Sequence, residues 1–170
     1  MCNEVDSMPP VPVIAGAAVT HDDLVLKAAD GNEFATFEAL PEAAAAAGIV
    51  VLPDVRGLYR FYEELALRFA ERGYAAIAID YFGRTAGVAK RGDDFPFREH
   101  VQQTTVGQVQ SDIAAAVARL RESPDVGPIF AVGCCFGATM SWLGSASGQG
   151  LAGAIGFHGG VEGQDAARAG

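Results

Sequence analysis

Cys135 stands between Gly133 and Gly137 in the run Val132-Gly133-Cys134-Cys135-Phe136-Gly137-Ala138. A reactive residue framed by glycines two positions to either side is the pattern of a nucleophile elbow. The glycines answer a steric need, because the turn is so sharp that side chains flanking it would collide. Pro128 to Val132, upstream, is short, apolar and β-prone, and Ala138 to Leu143, downstream, has no helix breaker. The thiol therefore sits where a strand hands over to a helix. The field at a helix N-terminus steadies an oxyanion and favours a thiolate. Such a thiol attacks an acyl carbon to give a thioester. The blander reading is a buried cysteine pair in a Gly-rich turn, and the local pattern leaves both open.

Other groups with chemical potential are few. His158 follows the apolar run Leu151 to Phe157, at the carboxyl end of the strand after the elbow strand. Neighbouring strands lie about 4.8 Å apart, and ligands of open α/β sheets bind at strand carboxyl ends. Three roles stay open for it: a substitute general base, a pocket-lining residue, or a structural histidine. No histidine follows it, and His21 and His100 are expected to be exposed. Three cysteines, two of them adjacent, make no disulfide framework. A redox role for Cys134-Cys135 is the weakest reading, since resolving cysteines are usually spaced C-x-x-C. Cys134 reads as a small buried filler, though a vicinal disulfide with Cys135 would inactivate the site.

Composition sets the frame. The chain has 170 residues, 50% hydrophobic and 19% charged, which suits one globular domain with a single core. A net charge of −9 without a Lys/Arg cluster argues against nucleic acid as a partner. No apolar run approaches the roughly 18 residues needed to span a membrane. Glu4 and Asp6, with no basic segment, make the start a poor signal peptide, so the cytoplasm is the expected location.

The elements that must position the thiol are legible in the patterning. Residues 1–20, with Pro9, Pro10 and Pro12, form a loose lead-in, and 21–170 form the domain. Leu24–Ala28 and Phe34–Leu40 flank the turn signal Asp30-Gly31-Asn32 and read as a hairpin. Ala43–Ala47 is ambiguous between helix and surface turn. Ile49–Leu52 is a continuous apolar strand ended by Pro53-Asp54. Leu58, Tyr62, Leu65 and Phe69 recur at helical spacing, with Gly73 past the end. Tyr74–Ile79 is a second buried strand, and a loop runs from Asp80 to about His100. Val109, Ile113, Val117 and Leu120 mark a further helix, stopped by Ser123-Pro124. Fully apolar strands alternating with helices imply a parallel sheet covered on both faces. No G-x-G-x-x-G follows the first parallel strand, so no dinucleotide site is implied.

Taken in this order, the chain resembles the dienelactone hydrolase family (carboxymethylenebutenolidases), cysteine-nucleophile members of the α/β-hydrolase fold. The resemblance runs from about Leu24 to Phe157. It rests on Leu52-Pro53-Asp54-Val55-Arg56-Gly57, Asp80-Tyr81-Phe82-Gly83-Arg84 and Gly133 to Gly137. It implies hydrolysis of a lactone or carboxylic ester through a Cys135 acyl-thioester, with no cofactor and no metal. The backbone N–H groups of Phe136 and Val55 would form the oxyanion hole. Asp54 matches an acidic residue, usually glutamate, that takes part in thiol activation; aspartate is one methylene shorter. Arg84 matches an arginine that holds a substrate carboxylate. Against these stand plainer readings: Asp54 as a helix cap, Arg84 as a solvated loop charge, and Phe136 as a ring wedged under the elbow.

The chain departs from its family at the end. The fold's chain order is nucleophile, acid, base. About a dozen residues follow Phe157, no more than a crossover connection consumes, so the acid and base are expected not to be encoded in this chain. Glu162 and Asp165 lie in the right sequence direction without a strand to carry them. The expected architecture is a partial α/β-hydrolase sheet, truncated after the strand that follows the elbow. The alternative function is a non-catalytic remnant that binds a small carboxylate or a partner chain. Leu151–Phe157 carries no charge or proline, and a strand left so at a sheet edge invites self-association.

Overall fold

The structure, a computed structural model, describes residues 6–160. Its sheet has six strands in the order β1-β2-β4-β3-β5-β6. β1 (Val19–Lys27) and β2 (Glu33–Pro41) form the antiparallel hairpin, with Leu24 opposite Thr36. Its turn needs glycine, because Gly31 has φ +88°. β2 also pairs antiparallel with β4 (Tyr74–Ile79). From β4 onward the sheet is parallel, through β3 (Ala47–Leu52), β5 (Ile129–Cys134) and β6 (Gly153–Phe157).

β3 is buried along its whole length, as a strand covered on both faces must be. On one face α1 (Arg60–Ala70) packs Phe61, Tyr62 and Ala66 against Ile49, Val51 and Val132. On the other, α4 (Val106–Leu120) and α5 (Phe136–Ala146) bring Val109, Ile113, Val117 and Met140 onto Val50, Ile77 and Ala131. The carboxyl ends of β3, β5 and β6 thus converge on Asp54, Cys135 and His158.

Several expectations shift at their edges. β1 starts at Val19, inside the expected lead-in. The alanine run is a bend rather than a helix, because its backbone groups bond elsewhere: the Ala46 N–H donates to the Gly73 carbonyl and the Gly127 N–H to that of Ala45. The loop after β4 contains two short helices, α2 (Gly83–Ala86) and α3 (Phe97–Gln102). α4 begins before Val109, at a capping box in which the Thr105 side chain and Gln108 exchange hydrogen bonds. His100 is half-buried rather than exposed, stacked on Phe95 at 4.8 Å with Nδ1 2.8 Å from Thr85 Oγ1. Glu162 and Asp165 lie outside the described residues.

Candidate active site

The elbow is a measurable backbone feature. Cys135 has φ +53° and ψ −111°, a conformation non-glycine residues rarely adopt and one that costs about 1–3 kcal/mol. Hydrogen bonds hold it from both sides. The Cys135 N–H donates to the Phe157 carbonyl (2.8 Å), and the Gly137 N–H to the Pro53 carbonyl (3.1 Å). The glycines are required where the sequence placed them. A Cβ on Gly133 would overlap the Gly137 carbonyl, and one on Gly137 would overlap the carbonyl oxygens of Leu52 and Pro53. α5 starts at Phe136, directly behind the thiol. Among the described residues, neither the Phe136 nor the Val55 N–H has a hydrogen-bond partner. The Phe136 ring packs edge-on against Tyr81 at 5.2 Å.

The loop after β3 is fixed by polar groups that apolar periodicity conceals. The Asp54 carboxylate is buried and accepts from the Arg56 backbone N–H (2.9 Å), Arg56 Nε (3.2 Å) and Nη2 (2.9 Å), and the Tyr59 hydroxyl (2.9 Å). Its own N–H donates to the Tyr62 hydroxyl (2.9 Å). Burial pushes the Cys134 thiol up from its ordinary pKa, and the Tyr62 hydroxyl opposes the shift. The Tyr81 hydroxyl, fully buried, donates to the Pro53 carbonyl (2.8 Å).

Behind this loop lies a buried ion pair. Arg91 Nη2 donates to Asp80 Oδ2 (2.8 Å) and to the Gly87 carbonyl (2.6 Å). Asp80 also accepts from the N–H groups of Leu58 (3.1 Å) and Phe82 (2.9 Å). Sequence reasoning missed Arg56, Tyr59, Tyr81 and Arg91, and took Tyr62 only as an apolar helix position. The available signal was three tyrosines in buried settings, since a buried phenol must find a hydrogen-bond partner.

Cys135, Cys134, Asp54 and His158 line one cleft of about 600 Å³, with Ser7, Pro10 and Val11 of the lead-in along another side. Much of the remaining wall is apolar, supplied by Phe61, Leu65, Phe69 and Phe157. His158 has φ +57°, is exposed, and has no hydrogen-bond partner among the described residues. Cys134 is half-buried on the cleft rather than a core filler.

Arg84 departs from its assignment, for the structure does not bring it to this cleft. Its guanidinium reaches Asp30 Oδ2 (Nη2, 2.6 Å), Asp112 Oδ2 (Nη1, 2.7 Å) and Asp112 Oδ1 (Nη2, 2.9 Å), tying the β1–β2 turn to α4. Burial draws the Arg84 pKa down, but these carboxylates outweigh it and hold it above the ordinary value. Among the described residues, no three His, Cys, Asp or Glu side chains are grouped to hold a metal ion, and no helix is long and apolar enough to cross a membrane.

Comparison with known proteins meets this geometry. Residues 34–169 match the model of the dienelactone hydrolase family. The carboxymethylenebutenolidase of Pseudomonas putida is 29% identical over 144 residues, covering 81% of this chain and 61% of its own length. The chain therefore spans about three fifths of that relative. A crystal structure from Klebsiella pneumoniae superposes with a TM-score of 0.75 at 20% identity, over 86% of this chain and 62% of that one. A dienelactone hydrolase-like promiscuous phosphotriesterase from metagenomic libraries gives 0.72 at 26% identity, over 84% and 60%. With a family match over most of its length and an elbow of the expected geometry, this chain belongs to the dienelactone hydrolase family.

Proposed function

We propose that this chain carries the nucleophile and oxyanion hole of a lactone or carboxylic ester hydrolase. The observation that supports this best is the strained Cys135, held at the end of β5 with the Phe136 and Val55 N–H groups unpaired beside it. Cys135 Sγ attacks the acyl carbon after losing its proton to a base. The negative charge that develops on the carbonyl oxygen is met by those two N–H groups. Breaking the C–O bond leaves the acyl group on sulfur as a thioester and releases the alcohol oxygen, which takes up a proton. Water then cleaves the thioester, giving the carboxylic acid and the free thiol.

The two halves of this cycle are unequally provided for. Asp54, with Arg56 and Tyr59 on its oxygens, holds the loop that carries Val55 and sits on the cleft. His158 is the imidazole on the cleft among the described residues, but none of them supplies a carboxylate or carbonyl to orient it, as a general base requires. Acylation is therefore expected to outrun deacylation strongly. The substrate is an ester or lactone; with Arg84 bound to Asp30 and Asp112, no residue assignment requires it to carry a carboxylate.

The test is release of p-nitrophenol from a p-nitrophenyl ester under single-turnover and excess-substrate conditions. The expected record is a burst of about one equivalent without sustained turnover, abolished in Cys135→Ala and kept in His158→Ala. No burst in a folded chain would favour a non-catalytic remnant. Sustained turnover lost in both variants would make His158 the base and overturn the unequal cycle proposed here.

A further inference from the structure

In the loop between β3 and α1, the peptide N–H groups of residues 54–58 are all engaged except one. The Asp54 N–H donates to the Tyr62 hydroxyl (2.9 Å) and the Arg56 N–H to Asp54 Oδ1 (2.9 Å). The Gly57 N–H donates to the Asp54 carbonyl (3.1 Å) and the Leu58 N–H to Asp80 Oδ1 (3.1 Å). The Val55 N–H is left without a partner among the described residues. Backbone donors that are removed from water are nearly always paired, so a loop that pairs its neighbours and leaves Val55 presents that one donor.

The near end of this loop is held at Asp54. Its far end, Leu58, is held on both sides of its residue by the ion pair beyond β4. The Leu58 N–H donates to Asp80, and the Leu58 carbonyl accepts from the Arg91 N–H (2.9 Å). Gly57 has φ +81°, and a Cβ there would overlap Asp80 Oδ1, so the loop lies directly on the carboxylate. The pair has no group left for a ligand. The Asp80 and Arg91 side chains are 0% and 4% exposed. Asp80 accepts from the Phe82 N–H (2.9 Å) as well, and from Arg91 Nε (3.3 Å) and Nη2 (2.8 Å). Arg91 Nη1 reaches the Ala86 carbonyl (3.2 Å), Nη2 also reaches that of Gly87 (2.6 Å), and the guanidinium lies over the Phe95 ring at 4.8 Å. A pair so fully engaged acts only through what it holds.

We propose that Asp80 and Arg91 are positioning residues for the oxyanion hole, fixing Leu58 and thereby the direction of the Val55 N–H. The inference rests on the hydrolase reading, in which that N–H meets the developing charge. The other donor, the Phe136 N–H, is set separately by the elbow and its bonds to Phe157 and Pro53. Loosening the Asp80–Arg91 pair therefore misplaces one donor of the two and leaves the thiol where it is.

Two reactions of the same thiol separate this role from a merely structural one. p-Nitrophenyl acetate acylates Cys135 through a tetrahedral oxyanion, whereas iodoacetamide alkylates it by displacement of iodide and forms no oxyanion. Arg91→Met should slow the acylation burst about 10- to 100-fold. Its alkylation rate at Cys135, followed by peptide mapping, should equal that of the wild type. Arg91→Lys keeps the charge but not the planar two-nitrogen grip, and should fall between the two in acylation alone. A wild-type burst rate in Arg91→Met, or equal losses in acylation and alkylation, overturns the inference and leaves the hydrolase reading standing. No burst in the folded wild type overturns the hydrolase reading, and this inference with it. Should Arg91→Met fail to melt cooperatively, Arg91→Lys decides by the same two rates.

Discussion

Replacing Arg84 by methionine removes one partner of a carboxylate that has no access to water. Asp112 is fully buried, and Arg84 is 16% exposed. In the native chain Asp112 Oδ1 accepts from Asn32 Nδ2 (3.0 Å) and Arg84 Nη2 (2.9 Å), and Oδ2 accepts from Arg84 Nη1 (2.7 Å). Arg84→Met leaves Asn32 as the remaining donor among the described residues. Breaking a buried pair from one side costs about 3–5 kcal/mol. For a domain of this size that lowers Tm by about 6–20 °C. Burial already raises the Asp112 pKa above its ordinary value even with Arg84 opposing it, and losing Arg84 raises it further. A carboxyl whose folded pKa is raised stabilises the fold where it is protonated and loses that contribution as pH rises. The deficit of Arg84→Met should therefore be largest near neutrality and shrink on acidification toward the aspartate range. Asp112→Asn in the same background should restore much of the loss. Thermal melts of the wild type, Arg84→Met and the double variant across pH measure this, alongside acylation by an acidic and a neutral ester of similar size. A variant stable to within about 0.5 kcal/mol that reacts more slowly with the acidic ester alone would refute the reasoning and return Arg84 to the substrate.

The remaining predictions concern the elbow and its supports. Gly137→Ala should abolish the acylation burst and destabilise severely, because its Cβ meets two backbone carbonyls that have nowhere to go; Gly148→Ala, at positive φ but in open space, should cost only about 1 kcal/mol. Tyr62→Phe should cost about 1–3 kcal/mol in urea titration by stranding the buried Asp54 N–H; an unchanged midpoint would mean that this bond contributes nothing. Cys134, with a folded pKa above the ordinary thiol value of 9.0, favours the fold while it is protonated. Stability should fall as pH rises past that value, where the unfolded thiol ionises first, and Cys134→Ala should flatten this alkaline slope.

The legible part of the fold is what periodicity carries. Tyr74–Ile79 agrees with β4 end to end, because a strand buried on both faces is a bare apolar run. The hairpin follows from Asp30-Gly31-Asn32, and the elbow from glycines whose need is steric. Elements whose limits are set by distant partners are less legible. The alanine bend at 43–46 is decided by Gly73 and Gly127, and the start of β6 by the Ala152 N–H donating to Ile129. In the site, resemblance points to Asp54 and Cys135, and both line the cleft. The same resemblance sets Arg84 on a substrate, although Asp30 and Asp112 compete for it; sequence spacing does not show that a hairpin turn and a helix 80 residues apart meet there. The tyrosines around Asp54 are hidden because a phenol scores as apolar in a helical pattern.

The central claim is that the residue on the strained turn, and not its neighbour, is the nucleophile. The most direct measurement is the position of the acyl group after brief reaction with an activated ester, acid quenching and peptide mapping. The account predicts a hydroxylamine-labile acyl group on Cys135, absent from Cys134, and lost when Gly133 or Gly137 is replaced by alanine. An acyl group on Cys134 or Cys2, or one on Cys135 that survives both glycine substitutions at the wild-type rate, would contradict it.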